Sequence, residues 1–366
     1  MSMVEWKNIG EVCKVITPPA KLQRADYNPQ GEYPIIDQGQ NETVGYTDNL
    51  DSLVNYGEYV LFGDHTRIIK FFDGRFAQGA DGLKILQANR GLNTRYFYYA
   101  FKNTDIPSRG YSRHWSITKD LQIPIPSLSE QERIVGILDT FTAAIDNLKA
   151  QIAQRRKQYE YYCDQLLDLE GKEGVEMMKL GDICFIKNGY TPSTKNPEFW
   201  EGGSIPWFTL EDIRKNGRIL SDAIKHITVS GVKKNGLFPK ESIIISTTAT
   251  IGEYALINTD FLCNQQITSL SIKAKYKDQL LAKFLYYLSD GIGKWCKKNV
   301  NGGGSLLIVS TSKLNNYLIP IPSLSEQHRI VGILDTFESS ITNLESQLKA
   351  REQQYEYYRN KLLTFE

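Results

Sequence analysis

Four histidines and five cysteines are the side chains of this sequence best suited to acid–base, nucleophilic or metal chemistry, and their spacing supports none of it. His65, His114, His226 and His328 lie far apart, with no pair at a ligand spacing. Cys13, Cys163, Cys184, Cys263 and Cys296 are odd in number and include no CxxC. They read as buried or idle thiols of a reducing compartment, not as a disulfide frame or a zinc site. His65, in the run FGDHTR (62–67), has the chemistry of a general base, but no acid–base constellation accompanies it. The runs GIGK (291–294) and NGGGS (301–305) lack the spacing and the trailing GK[ST] of a phosphate-binding loop, and they lack the dinucleotide fingerprint. No catalytic residue and no metal ligand is expected.

What the sequence does carry is a duplication. Residues 123–170 begin IPIPSLSEQERIVGILDTF and residues 319–366 begin IPIPSLSEQHRIVGILDTF; with an ungapped offset of 196, 31 of the 48 positions are identical. The stretches before each copy, 1–122 and 171–318, have little in common. The chain therefore divides into a variable region (1–122), a repeated segment (123–170), a second variable region (171–318) and the second repeat (319–366).

Both repeats predict a helix. In the first, Ile134, Leu138, Phe141, Ile145, Leu148, Ile152, Arg155, Tyr159, Tyr162, Leu166 and Leu169 step by four and three residues, the signature of a heptad seam. The second copy repeats the pattern from Ile330 to Phe365. Pro126 and the pairs Ser127/Glu130 and Ser129/Glu132 supply a capped start; in the second copy His328 replaces Glu132, leaving Ser323/Glu326. A helix over about 129–170 would extend roughly 60 Å. If each variable region sits alike on its own helix, a two-fold axis relates the halves and the helices run antiparallel. Cysteines near Ile134 and Leu362 should then cross-link, and cysteines near Ile134 and Ile330 should not. Arg155 and Arg351, inside the seam, are read as fixing its register.

The variable regions are strand-rich. WKNIGEV (6–12) and MKLGDIC (178–184) look like equivalent openings. Strand character follows in 57–63, 66–72, 82–86, 241–246, 252–257 and 267–272, and each region closes with an aromatic helical patch, TRYFYYAF (94–101) or AKFLYYL (282–288). Net charge is 0 in 1–122 and +6 in 171–318, while the repeats carry −3 and −2. No apolar run approaches the ~20 residues of a membrane span, and the opening MSMVEWKNIG has no signal-peptide pattern. A cytoplasmic protein is expected.

The duplicated IPIPSLSEQ…RIVGILD helix following a strand-rich region resembles the specificity subunit of type I restriction–modification systems. LGDI with GYTPST (180–194), IPWFTLEDI (205–213) and STTATIGEYAL (246–256) are similar to phrases of that family. The resemblance implies an α+β chain with two strand-rich α/β target recognition domains alternating with two long helices that pair as an antiparallel coiled coil. It also implies a non-catalytic chain in which each domain reads half of a bipartite site on double-stranded DNA while the helices set the unread spacer. Partners would be two methyltransferase subunits on the helices and, through them, motor-nuclease subunits. S-adenosylmethionine, ATP and magnesium would belong to those partners. Consistently, the adenine-methyltransferase motif (N/D)PP(Y/F) is missing: Asn28-Pro29-Gln30 does not meet it.

Under this resemblance, DNA-facing candidates are loop side chains with paired donors and acceptors, arginine for guanine and glutamine or asparagine for adenine. In the first region these are Gln38, Gln40 and Asn41 after the YPIID strand; His65, Thr66 and Arg67 between two apolar runs; and Arg109, Ser112, Arg113 and His114 beside Tyr111 and Trp115. In the second they are Thr191, Ser193, Thr194 and Lys195; Thr247, Thr248 and Thr250; Gln265 and Gln266; and Lys297, Lys298, Asn301 and Ser305. Glu130, Gln131 and Arg133, with Glu326, Gln327 and Arg329, are read as an exposed docking patch presented twice, as two identical partners require. Three other readings remain at this stage: the specificity chain of a related multi-subunit DNA-modification system, a coiled-coil adaptor that binds no DNA, and an unrecognised hydrolase, which would need an acid–base constellation that the sequence does not display.

Overall fold

The structure, a computed structural model, describes residues 4–234, 236–301 and 307–365. They form two compact units. One holds the described residues up to 151 together with those from 344 onward; the other holds 152–343.

In the first unit the opening strand Glu5–Asn8 pairs antiparallel with Gln122–Ile125, so the variable region is closed where it begins and ends. Between them lies a six-stranded sheet in the order Cys13–Ile16, Leu83–Ala88, Leu53–Gly63, Ile69–Gln78, Tyr33–Ile36, Gly45–Thr47. The central strand reads YVLF without polar interruption because both of its faces are covered. Val60 and Phe62 point into one core, Tyr59 and Leu61 into another. The aromatic helix Thr94–Lys102, capped by Asn93, lays Tyr96, Phe97 and Phe101 on the first of these faces.

The second unit repeats the scheme. Glu176–Lys179 pairs with Leu318–Ile321, and the sheet runs Cys184–Asn188, Ile267–Ile272, Ser242–Ser246, Tyr254–Ile257, Ile219–Leu220. Ile243 and Ile245 face the aromatic helix Ala282–Lys298, and Ile244 faces the opposite core. A three-stranded sheet, His226–Ile227, Ile205–Phe208 and Leu262–Cys263, is added here. The four strand positions common to both sheets follow one order, so one fold occurs twice. Burial pushes the thiols of Cys13 and Cys184 up to about 12, which keeps them protonated and inert.

The repeats are two 40-residue helices, Leu128–Leu167 and Leu324–Leu363. Each opens on a serine: the Glu130 and Glu326 amides donate to the Ser127 and Ser323 hydroxyls. The alternative Ser129/Glu132 box lies inside the helix and is not the cap. In the first unit the helices run antiparallel. Ile134 and Leu138 share a core with Leu363, Phe141 stacks on Tyr358 at 5.3 Å, and Lys149 meets Glu352 at 3.4 Å. In the second, Ile330 and Leu334 share a core with Leu169, and Tyr162 stacks on Phe337 at 5.2 Å. The seam arginines neither enter a core nor hang free. Arg155 sits over the Phe337 ring and Arg351 over the Phe141 ring, each at 5.7 Å, a cation–π contact made once per unit at equivalent positions.

One expectation is corrected. Gln131 and Gln327 are 1% and 0% exposed, so neither belongs to a docking surface. The Gln131 amide accepts from the Asn93 N–H and donates to the Pro126 carbonyl, both at 2.9 Å. Gln327 accepts from the Leu281 N–H at 3.0 Å and donates to the Gln279 and Pro322 carbonyls at 2.7 and 2.9 Å. Asn93 and Leu281 are the residues that begin the two aromatic helices. A neutral amide, donor and acceptor at once, is the side chain that can satisfy backbone groups of both signs at such a junction. Gln327→Leu, of similar size, should strand a buried N–H and two carbonyls and cost at least about 3 kcal/mol, on the scale of ~1–3 kcal/mol per unsatisfied group. A denaturation midpoint equal to wild type would refute this.

Candidate nucleic-acid interface

One end of each sheet is built on one backbone arrangement. The residue following the first hairpin strand, Asp64 or Thr247, joins three loops. Its N–H donates to the residue preceding the last strand, Gly82 at 2.6 Å or Gln266 at 2.9 Å. Its carbonyl accepts from the loop after the aromatic helix, from the His114 or Val309 N–H, at 2.8 Å in both. The hairpin that follows turns through a left-handed residue in each unit, Arg67 (φ 61) and Ala249 (φ 63). One scaffold therefore gathers three loops at one edge, while the side chains on those loops differ.

In the first unit these loops carry most of the sequence candidates. Gln38 is half-buried and organises the cluster: its amide accepts from the His65 N–H at 3.1 Å and donates to the Asp81 carbonyl at 3.2 Å, while its own carbonyl accepts from the Thr66 hydroxyl at 2.6 Å. His65 stacks on Tyr111 with ring centres 4.9 Å apart. Arg67 turns its guanidinium to the Ile106 carbonyl at 2.9 Å. His114 is fully buried and does not face outward: its ring bonds the Asp64 carbonyl at 3.0 Å and accepts from the Arg109 N–H at 3.1 Å. Between Arg109 and His114 the chain is thus tied at its base, leaving Arg109, Tyr111, Ser112 and Arg113 exposed. Gln40 and Asn41 are exposed on the adjoining loop.

In the second unit, Thr191 donates to Gln265, bringing those two loops together. Gly189 makes this approach possible, since a Cβ there would lie 2.1 Å from the Cys263 carbonyl oxygen. Thr247 is 1% exposed and bonds Thr268 at 2.8 Å, so its side chain is internal, correcting its reading as a contact residue. Gln266 is half-buried, with its amide oxygen accepting from Asn264. Thr248 bridges to Ile308, whose carbonyl accepts from the Asn301 N–H at 2.9 Å. Ser193, Thr194, Lys195, Thr250, Gln265, Lys297, Lys298 and Asn301 are exposed; Ser305 lies outside the described residues. Among the described residues no group of three or more histidines, cysteines, aspartates or glutamates could hold a metal ion, and no helix is long and apolar enough to cross a membrane.

A family model described as the type I restriction modification DNA specificity domain matches residues 1–155 and 172–351. The chain belongs to the type I restriction–modification specificity family. It is 35% identical to the specificity subunit of the Escherichia coli type I restriction enzyme EcoR124I/EcoR124II, over 99% of this chain and 94% of that one. A putative type I specificity subunit of Haemophilus influenzae is 29% identical, with 100% and 96% covered. In fold the chain is similar to the crystal structure of the type I system S subunit from M. genitalium, with a TM-score of 0.65, 17% identity, and 100% and 98% of the two chains covered.

For a specificity subunit, two residues stand out that sequence reading passed over as contacts. Asp64, 3% exposed, has its carboxylate on the Trp115 N–H at 2.7 Å and, with its backbone, anchors the whole loop cluster. Tyr111 is 86% exposed at the tip of the Arg109–Arg113 loop. Its neighbours in sequence, Gly110 and two arginines, signal a displayed loop; the inward aspartate gives no local signal.

Proposed function

We propose that this chain reads an asymmetric, bipartite site on double-stranded DNA. Each recognition domain would read one half, and the helix pair would fix the unread spacer. The observation that carries the reading is the identical three-loop backbone junction bearing different exposed side chains in the two units: Arg109, Tyr111 and Arg113 in one, Thr191, Gln265, Lys297 and Lys298 in the other. A constant frame with changed donors is what two readers of unlike half-sites require. The chain contributes recognition alone. Two methyltransferase subunits dock on the helices and bring S-adenosylmethionine, and motor-nuclease subunits joining through them bring ATP and magnesium.

With the two glutamines internal, the docking patch contracts to the exposed ion pairs at the helix starts, Glu130–Arg133 at 2.7 Å and Glu326–Arg329 at 2.6 Å. The same pair at the same place on each copy offers identical partners the same surface twice. Co-expression with the methyltransferase and sequencing of methylated sites tests the whole reading. The complex should bind DNA with strong salt dependence and modify a two-part motif, and the isolated chain should turn over no S-adenosylmethionine. A continuous motif, or salt-independent DNA affinity, would sink it. Reversing both charges, Arg133→Glu with Arg329→Glu, should abolish co-purification; an intact complex would rule out this patch alone.

A further inference from the structure

Each aromatic helix is fastened to the long helices by tyrosine hydroxyls meeting carboxylates, and the two fastenings differ at one repeat position. In the first unit Tyr99 donates to Asp139 and lies 3.3 Å from the Thr142 hydroxyl, and Arg95 bonds Asp139 at 2.8 Å. In the second unit Tyr287 donates to Asp335, the counterpart of Asp139, and Lys283 meets Asp335 at 3.1 Å. Thr142 is replaced there by Glu338. Its carboxylate accepts from Tyr286 and Tyr159 at 3.1 Å and from Tyr287 at 3.2 Å. Tyr286 and Tyr287 belong to the aromatic helix, Tyr159 to the first long helix and Glu338 to the second, so one carboxylate joins three helices. In the first unit the corresponding tie through Asp139 and Thr142 joins two.

Hydrogen bonds to an ionised acceptor are roughly twice as strong as neutral ones. Burial, then the neighbouring carboxylates, push the three hydroxyls well above their ordinary titration range, so they remain donors under all working conditions. A half-buried charge holding three donors from two other helices resists rocking of the domain on its helices more than apolar packing alone, which tolerates sliding.

We propose that Glu338 is a positioning residue that fixes the tilt of the second recognition domain on its helices, and thereby restricts the modified site to one spacer length. The inference rests on the bipartite reading above. Neighbouring spacers differ by about 3.4 Å of rise together with a rotation of the half-site, a displacement that a small change of tilt at the base of the domain can supply at its loop edge.

The test uses the assembled methyltransferase complex on a plasmid library in which both half-sites are constant and the spacer varies one base pair at a time. Glu338→Thr, which copies the first repeat, should raise methylation at spacers one base pair longer or shorter by about tenfold relative to the native length. The half-site sequences should stay unchanged. Tyr159→Phe removes a single hydroxyl while preserving packing, and should give the same broadening in weaker form even if the first variant folds poorly. Uniform loss at every spacer, as a merely structural role predicts, or an unchanged single spacer in Tyr159→Phe and in any folded Glu338→Thr, would overturn the proposal. A wild-type complex with no two-part motif would instead remove the reading beneath it.

Discussion

Exchanging residues 1–122 for the equivalent region of a relative is expected to change one half of the modified sequence completely while leaving the other half and the spacer as they were. The reason lies in how the domain is bounded. Its first strand, Glu5–Asn8, and its last, Gln122–Ile125, are paired to each other, so the graft begins and ends at one two-stranded ladder. Every loop candidate of the first unit, from Gln38 to Arg113, lies between those strands, and the loops are tied by contacts within the domain, such as Gln38 with His65 and His114 with Asp64. Each wrong base pair costs ~1–3 kcal/mol, so a half-site altered at two or three positions should lose methylation by several orders of magnitude. Sequencing of methylated sites reads the result directly. A hybrid in which both halves changed together would show that the domains do not read independently.

Lengthening both helices by one heptad, duplicating 145–151 and 341–347, is expected to move the preferred spacer instead. Seven residues add ~10.5 Å of helix, about three base pairs of duplex. The duplicated segment keeps the four-three rhythm of the seam, because Ile145, Leu148 and Ile152 continue in phase. Modification at the native spacer should fall to background while both half-sites remain the same. The added rise also rotates one half-site about the duplex axis, so the spacer library must extend several base pairs either side of three. A variant that folds, binds its partners and still prefers the native spacer would separate spacer length from helix length.

Much of this molecule is legible in its sequence, for local reasons. The helices announce themselves by serine caps and a heptad rhythm that depend only on residues three and four apart. The paired openings and the aromatic helices are likewise visible, since each is a compact apolar phrase between breakers. What was hidden is what depends on distant partners. The three-stranded sheet of the second unit is built from strands of two to four residues, too short to show alternation, and pairs Ile205–Phe208 with the remote Leu262–Cys263. Polar residues misled in the same way. Gln131, Gln327, His114 and Thr247 have the composition of a surface, and only the backbone groups that meet them in the folded chain turn them inward. Conversely, Arg155 and Arg351 sit at seam positions by spacing, while their role follows from Phe337 and Phe141 across the pair.

The assembly of the first unit has a consequence for the order in which the chain matures on the ribosome. Its apolar core takes Ile9, Val12 and Phe97 from early in the chain but also Leu363, with Tyr355 and Leu362 packed against it, from the far end. The second unit draws on 152–343 alone. Synthesis therefore delivers every residue of the later domain's core before it delivers the last residues of the earlier one's. The usual vectorial order, N-terminal domain first, therefore leaves the earlier unit one helix end short until residues 344–365 are made. Among the described residues, fifteen of the sixteen buried in that core lie at or before Leu138, and Leu363 completes it only when the closing turns of the second helix are made.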